Sequence, residues 1–232
     1  MIAYNFFIWL SVREKSYLFY VIFVISFGVL LATIDGLSYQ YLWPNAIWWN
    51  NHAIPVLLNF SLAMSLVFGR EFLNTRKFNP RLHKLATIYM NIMFVMAVLS
   101  FYVPYQTMIV ITLLFSMGTA VLVMTIGICN WRAGNRAARF FVGSWLLLAS
   151  MVVLYDLSQL GIIPKSTLTN LAVQIGEWCE VLLLSFALAD RINISRMQEQ
   201  EAQNLLMAEE RRANAEREER SEEHTSELQS QR

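Results

Sequence analysis

The chain is poor in nearly everything that marks a soluble enzyme. Of its 232 residues only 15% are charged, 3 are histidine and 2 are cysteine. Cys129 and Cys179 lie in or near apolar stretches without CxxC spacing, so neither a disulfide framework nor a zinc site is expected, and both read as packing residues. There is no HExxH, no GxSxG elbow, no Walker A loop and no dinucleotide fingerprint. Tyr155-Asp156 forms a YD dipeptide, but no GxGD follows, and an intramembrane aspartyl protease is excluded. The last apolar stretch lacks the lysine that a retinal Schiff base needs. A net charge of +1 leaves no nucleic-acid footprint. No catalytic residue, cofactor or metal site is therefore expected.

What the chain has is apolar length. Hydrophobic residues make up 56% of it and the mean hydropathy is +0.42, a poor match for a soluble domain. Seven apolar stretches fall at 2–12, 17–38, 50–70, 85–104, 106–129, 138–160 and 168–189. They predict an all-α membrane protein, a seven-helix transmembrane bundle. Ten basic residues between them lie on one side, namely Arg13, Lys15, Arg70, Arg76, Lys77, Arg81, Lys84, Arg132, Arg136 and Arg139. The opposite connections, 39–49, 101–106 and 161–167, hold only Lys165. Cytoplasmic loops retain positive charge during insertion, so the N-terminus is expected outside and the C-terminus inside.

Both ends of the sequence are unusual. Met1 to Val12 supplies about 18 Å of helix against a hydrocarbon core of about 30 Å, too little to span, and it lacks the features of a signal peptide. Met1 is thus expected to be an internal methionine of a longer first helix. At the other end, residues 220–230 read RSEEHTSELQS, which resembles the translation of a widely used sequencing-library adapter. Natural sequence is expected to end near Glu219, and 220–232 are set aside from fold reasoning.

Between the ends, Tyr39, Tyr41, Trp43, Trp48 and Trp49 cluster where no basic residue occurs, as suits an outer headgroup layer, with Pro44 enforcing a turn or interfacial segment. Ser61, Ser65 and Gly69, four apart with Ala63 beside them, predict a face for close helix packing, and Ser116 with Ala120 a weaker one. The stretch Arg70 to Lys84 reads as the longest cytoplasmic loop. Its charge suits anionic headgroups, although setting topology is a sufficient account. His83, alone within it, reads as solvated or lipid-facing.

The seventh stretch carries the candidate site. Asn170, Gln174, Glu177 and Glu180 cover an arc of about 120° at 100° per residue, one polar stripe. A carboxylate facing hydrocarbon is costly, so both glutamates should face the bundle interior, find donors or take a proton. They serve either as polar glue between helices or as a ligand or proton site. Asp35 and Asp156, near the outer ends of the second and sixth stretches, are expected to cap helices or line an outer mouth.

After Asp190 the composition turns charged and rich in Ala and Glu. Ile192, Ala202, Leu206 and Ala213 form a weak heptad seam, interrupted at Ser195, Glu199, Glu209 and Glu216. The organisation read from the sequence is a transmembrane domain over 1–189, a cytoplasmic connector helix over 190–219 and the adapter-like end. A connector of this kind suits a homodimer; a solvated single helix suits it equally.

The ordered series YNFFIWLSVREKSYLFY, IDGLSYQYLWP, FGREFLNTRKFNPRL, LGIIP and QIG with LLLSFALADRI resembles the membrane domain of bacterial seven-transmembrane receptors with diverse intracellular signalling modules. The resemblance covers about residues 2–194. It implies a multi-pass receptor core in the bacterial cytoplasmic membrane, with an extracytoplasmic ligand of unknown identity, lying between an outer sensory domain and a histidine kinase, diguanylate cyclase or other output module. It carries over no catalytic residue. The competing class is a small transporter or channel with the 170–180 stripe as its path, but no internal repeat and no pair of broken helices supports that.

Overall fold

The structure, a computed structural model, describes residues 2–159 and 161–230, with side-chain surroundings given through residue 214 except at 12, 155, 156, 159, 191, 192, 194, 195, 198, 199 and 213. The described residues form helices joined by turns, with no strand among them, and the chain divides into two compact units, Met1–Leu188 and Ala189–Arg232. In the first unit the helices are α1 (Ile2–Val12), α2 (Lys15–Ile34), α3 (Leu37–Tyr41), α4 (Ile47–Phe72), α5 (Thr75–Phe78), α6 (Pro80–Leu99), α7 (Tyr105–Arg132), α8 (Ala137–Gln159) and α9 (Thr167–Asn170). The last helix, α10 (Ala172–Ser230), begins in the first unit and supplies the second. Six of these, α2, α4, α6, α7, α8 and the Ala172–Asp190 part of α10, are long and apolar enough to cross a membrane. At 11 residues α1 is not.

Local chemistry sets the boundaries. Helix α2 stops at Ile34, short of the expected 38, because Gly36 turns left-handed at φ +79°. Pro104 has no N–H to donate and sits just before α7, while Pro80 opens α6 at a position where its missing N–H costs nothing. Helix α4 starts earlier than expected, at Ile47, and takes Trp48 and Trp49 into its first turn. Trp49 stands 6.0 Å from Phe101 and 5.9 Å from Trp43, a cluster of rings at one end of the bundle.

The expected long loop over 70–84 does not exist. Helix α4 runs through Phe72, α5 follows after Leu73 and the left-handed Asn74 (φ +48°), and only Asn79 separates α5 from α6. His83, half-buried there, is not alone: Nδ1 lies 2.9 Å from Thr75 Oγ1. Arg70 donates to Thr87 Oγ1 at 2.8 Å and pairs with Glu71 at 3.6 Å. Asn135 Nδ2 reaches across from the α7–α8 turn to the carbonyl of Leu73 at 3.0 Å, covering an end carbonyl of α4.

Helix α4 is the axis of the unit. Across its apolar stretch 67% of residues are buried, against 17% for α6. It packs on α2, α6 and α7. Ser61, Ala63, Ser65 and Gly69 are all buried, as a packing face requires. Ser116 and Ala120 do not form a second one, since the buried face of α7 is Met108, Thr112, Thr119, Val123 and Ile126. Phe141 of α8 shows why small residues matter. Its ring lies 6.3 Å from Phe68 and 6.0 Å from Phe72, and side chains at Gly69 and Gly127 would meet it at 3.1 and 3.2 Å.

A Cβ on Gly127 would also stand 2.7 Å from Val142 Cγ2. Gly127→Leu is therefore expected to cost about 1–3 kcal/mol by overpacking the α7–α8 contact, read as a lower unfolding temperature in detergent. Gly28→Ala, where nothing lies within 4 Å, should lose nothing.

Candidate functional site

One face of the first part of α10 is apolar and exposed, and the opposite, buried one mixes apolar with polar residues. Trp178, Leu182 and Phe186, four apart, are exposed, while Glu177, Glu180, Val181, Leu184 and Ser185 are buried. The pattern places both carboxylates inward, as the cost of charge in hydrocarbon demands. Gly176 lets α10 come close to α8, for a Cβ there would lie 2.9 Å from Met151 Cβ.

Three helices meet in hydrogen bonds beside the glutamates. The Tyr20 hydroxyl of α2 donates to the Val181 carbonyl at 2.5 Å and lies 3.1 Å from Ser185 Oγ. Asn5 of α1 donates through Nδ2 to the same Ser185 Oγ at 3.0 Å. Tyr20 also sits in the electrostatic field of both Glu180 and Glu177. Glu180 is 0% and Glu177 4% exposed, and the two carboxyl groups hydrogen-bond to each other through a proton held within the pair, with no further partner among the described residues. Gln174, half-buried one turn before Glu177, has a buried Oε1 without a partner among them. The ensemble is a hydrogen-bonded junction of α1, α2 and α10 with a buried acidic pair on its flank whose members bond only to each other.

Asn170 does not join this stripe. It ends α9, is exposed, and is separated from α10 by Leu171. The interruption is local: Ser166 caps α9 by accepting from the Thr169 N–H, Thr169 Oγ1 accepts from the Ser166 N–H at 2.8 Å, and the turn closes before α10 opens. Asp35 is exposed at the C-terminal end of α2, where its backbone N–H donates to Leu31. The side chain of Asp156 lies outside the described residues.

A second polar junction went unnoticed in the sequence. Asn59 of α4, fully buried, donates to Thr112 Oγ1 of α7 at 2.8 Å, to the Pro55 carbonyl at 2.9 Å and to Ser100 Oγ, just past α6, at 3.5 Å. Asn5, Tyr20, Asn59 and Ser185 all escaped notice. The available signal was an amide inside an apolar run, which is costly in lipid unless it is bonded.

A family profile described as 7TM diverse intracellular signalling matches residues 1–191. The chain belongs to this family. No curated protein and no solved structure matches it. The matched range takes in all seven expected stretches, now α1, α2, α4, α6, α7, α8 and the start of α10, so the three-helix junction and the acidic pair both lie inside the 7TM signalling domain. The protein is thus a multi-pass, all-α membrane protein carrying a sensory signalling domain.

In this 7TM domain Tyr20→Phe and Ser185→Ala should each lower stability by about 0.6 kcal/mol and at most about 1.7 kcal/mol, the range for hydrogen bonds between helices in lipid. Because both remove parts of one network, the double variant should lose less than the sum. Chemical unfolding in mixed micelles measures this, and strict additivity would count against a shared junction.

Proposed function

We propose that this domain receives an extracytoplasmic signal and passes it to a cytoplasmic output module, a histidine kinase or a diguanylate cyclase, by moving α10. The N-terminus faces outside and the C-terminus faces the cytoplasm, the orientation favoured by the basic residues between the spans. The observation that carries the reading is the junction itself. Asn5, Tyr20 and Ser185 tie α1 and α2 to the one helix whose bounds, Ala172–Ser230, take in both the last apolar span and the charged segment after it.

Signalling needs two packings that bind the signal with different affinity. Glu177, Glu180 and Gln174 supply an imbalance on which such a choice can turn. Beyond the bond within the carboxyl pair these groups have no donor, so they favour any arrangement that supplies one, while the Tyr20 and Ser185 bonds favour the present one. The charged segment of α10 acts as a homodimeric connector. Ala202, Leu205, Leu206 and Met207 are exposed in it, whereas the side chains of Ile192 and Ala213, the ends of the seam, lie outside the described residues.

Cysteines at Tyr41 and Arg136 should react with membrane-impermeant reagents from outside and from inside respectively. Disulfide trapping of Leu206→Cys in membranes should give dimers, and Glu180→Leu, which replaces one member of the buried carboxyl pair by an apolar side chain, should change their yield. No dimer at Leu206, or a yield indifferent to both Glu180→Leu and Tyr20→Phe, sinks the relay.

A further inference from the structure

The junction faces the bundle interior, but α7 and α8 open a different feature toward the bilayer. A groove of about 460 Å³ is lined by Ile128, Trp131 and Arg132 of α7 and by Val142 and Leu146 of α8. Apart from Arg132 its walls are apolar. Arg132 is the last residue of an apolar helix long enough to span, so the groove descends into the hydrocarbon from a headgroup-level lip. The exposed Trp131 suits that level as well.

A second cation, outside the groove lining, lies near its end on α8. Arg139, Val142 and Leu146 are spaced three and four apart, which places Arg139 on the groove face of α8 one turn above Val142. It is exposed and lies 4.7 Å over the Phe140 ring. Neither Arg132 nor Arg139 has a carboxylate partner among the described residues. The turn between them is fixed. Gly134 adopts φ +89°, Asn135 Oδ1 accepts from the Ala137 N–H at 3.1 Å, and Asn135 Nδ2 holds the end of α4.

We propose that this groove is a binding site for an anionic phospholipid. Its phosphate sits between the Arg132 and Arg139 guanidiniums and one acyl chain lies along Ile128, Val142 and Leu146. Charge complementarity selects the occupant. Two cations without acidic partners at the mouth of an apolar channel match a molecule with an anionic head and a hydrocarbon tail, and guanidinium donors fit phosphate oxygens in pairs. Trp131 packs at the level of the glycerol backbone.

Native mass spectrometry of the full chain, offered phosphatidylglycerol or phosphatidylcholine with identical acyl chains, tests the site. Wild type should retain phosphatidylglycerol in preference. Arg132→Gln with Arg139→Gln should weaken that retention about fivefold per cation, roughly thirtyfold for the pair. Arg76→Gln with Arg81→Gln, exposed cations elsewhere on the same side, should weaken it clearly less. Leu146→Trp, which keeps both charges but fills the channel, should weaken retention of both lipids. Equal retention of the two lipids by wild type, an equal loss in the Arg76 and Arg81 variant, or no effect of Leu146→Trp would each overturn the proposal. Unchanged unfolding temperatures in the variants confirm that the fold is intact.

Discussion

In a bilayer, two helices gain almost nothing by hiding apolar side chains from a solvent that is itself apolar. Cohesion has to come from close backbone approach and from hydrogen bonds that have no competing water. Both devices recur through this bundle. Glycines 69 and 127 receive the Phe141 ring from two sides, and Gly176 brings α10 against Met151. Buried amides and hydroxyls do the rest, with Asn59 binding α4 to α7 and Ser185 gathering α1 and α2 onto α10. Helix α4 is the most enclosed because it supplies small residues to one side and an amide to another.

The two polar junctions differ in what flanks them, and the difference bears on the proposed relay. Around Asn59 the donor bonds link α4 and α7 directly and tie in the end of α6, while Asn59 Oδ1 has no partner among the described residues. Around Ser185 the bonds are equally good, and beside them stand two buried carboxyl groups that bond only to each other. Buried groups left unsatisfied raise the energy of the arrangement that contains them, which narrows its advantage over alternatives. A receptor needs a small advantage of this kind, because a signal can shift populations only by its difference in affinity for the two states. Rigid packing on the α4 side and an evenly balanced α10 side suit a device in which one helix moves against a fixed frame.

Much of this architecture was legible from the sequence, because helices in lipid announce themselves by length and hydropathy. The seven stretches correspond to seven helices, and the stripe from Ser61 to Gly69 is buried. What escaped depended on neighbours distant in the chain. Asn59 looks like one amide in an apolar run until Thr112 is placed beside it, and Asn5 and Ser185 are 180 residues apart. The run from Arg70 to Lys84 misled because charge was taken for loop. Nothing in it prevents helix until Asn74, and Pro80 starts a new helix instead of ending one. Asn170 fell outside the stripe through the Ser166–Thr169 cap, a local bond that outweighed the helical phase shared with Gln174.

The bond from Asn135 to the Leu73 carbonyl spans 62 residues. A ribosome makes the acceptor long before the donor. While α5, α6 and α7 emerge, the last turn of α4 must rely on water or lipid headgroups for the carbonyl that Asn135 will later cover. Only when the turn after α7 has formed is that end sealed. The order of synthesis is thereby written into the bundle, with the central helix completed by a later element, so that the turn between α7 and α8 acts as a clasp on the end of α4.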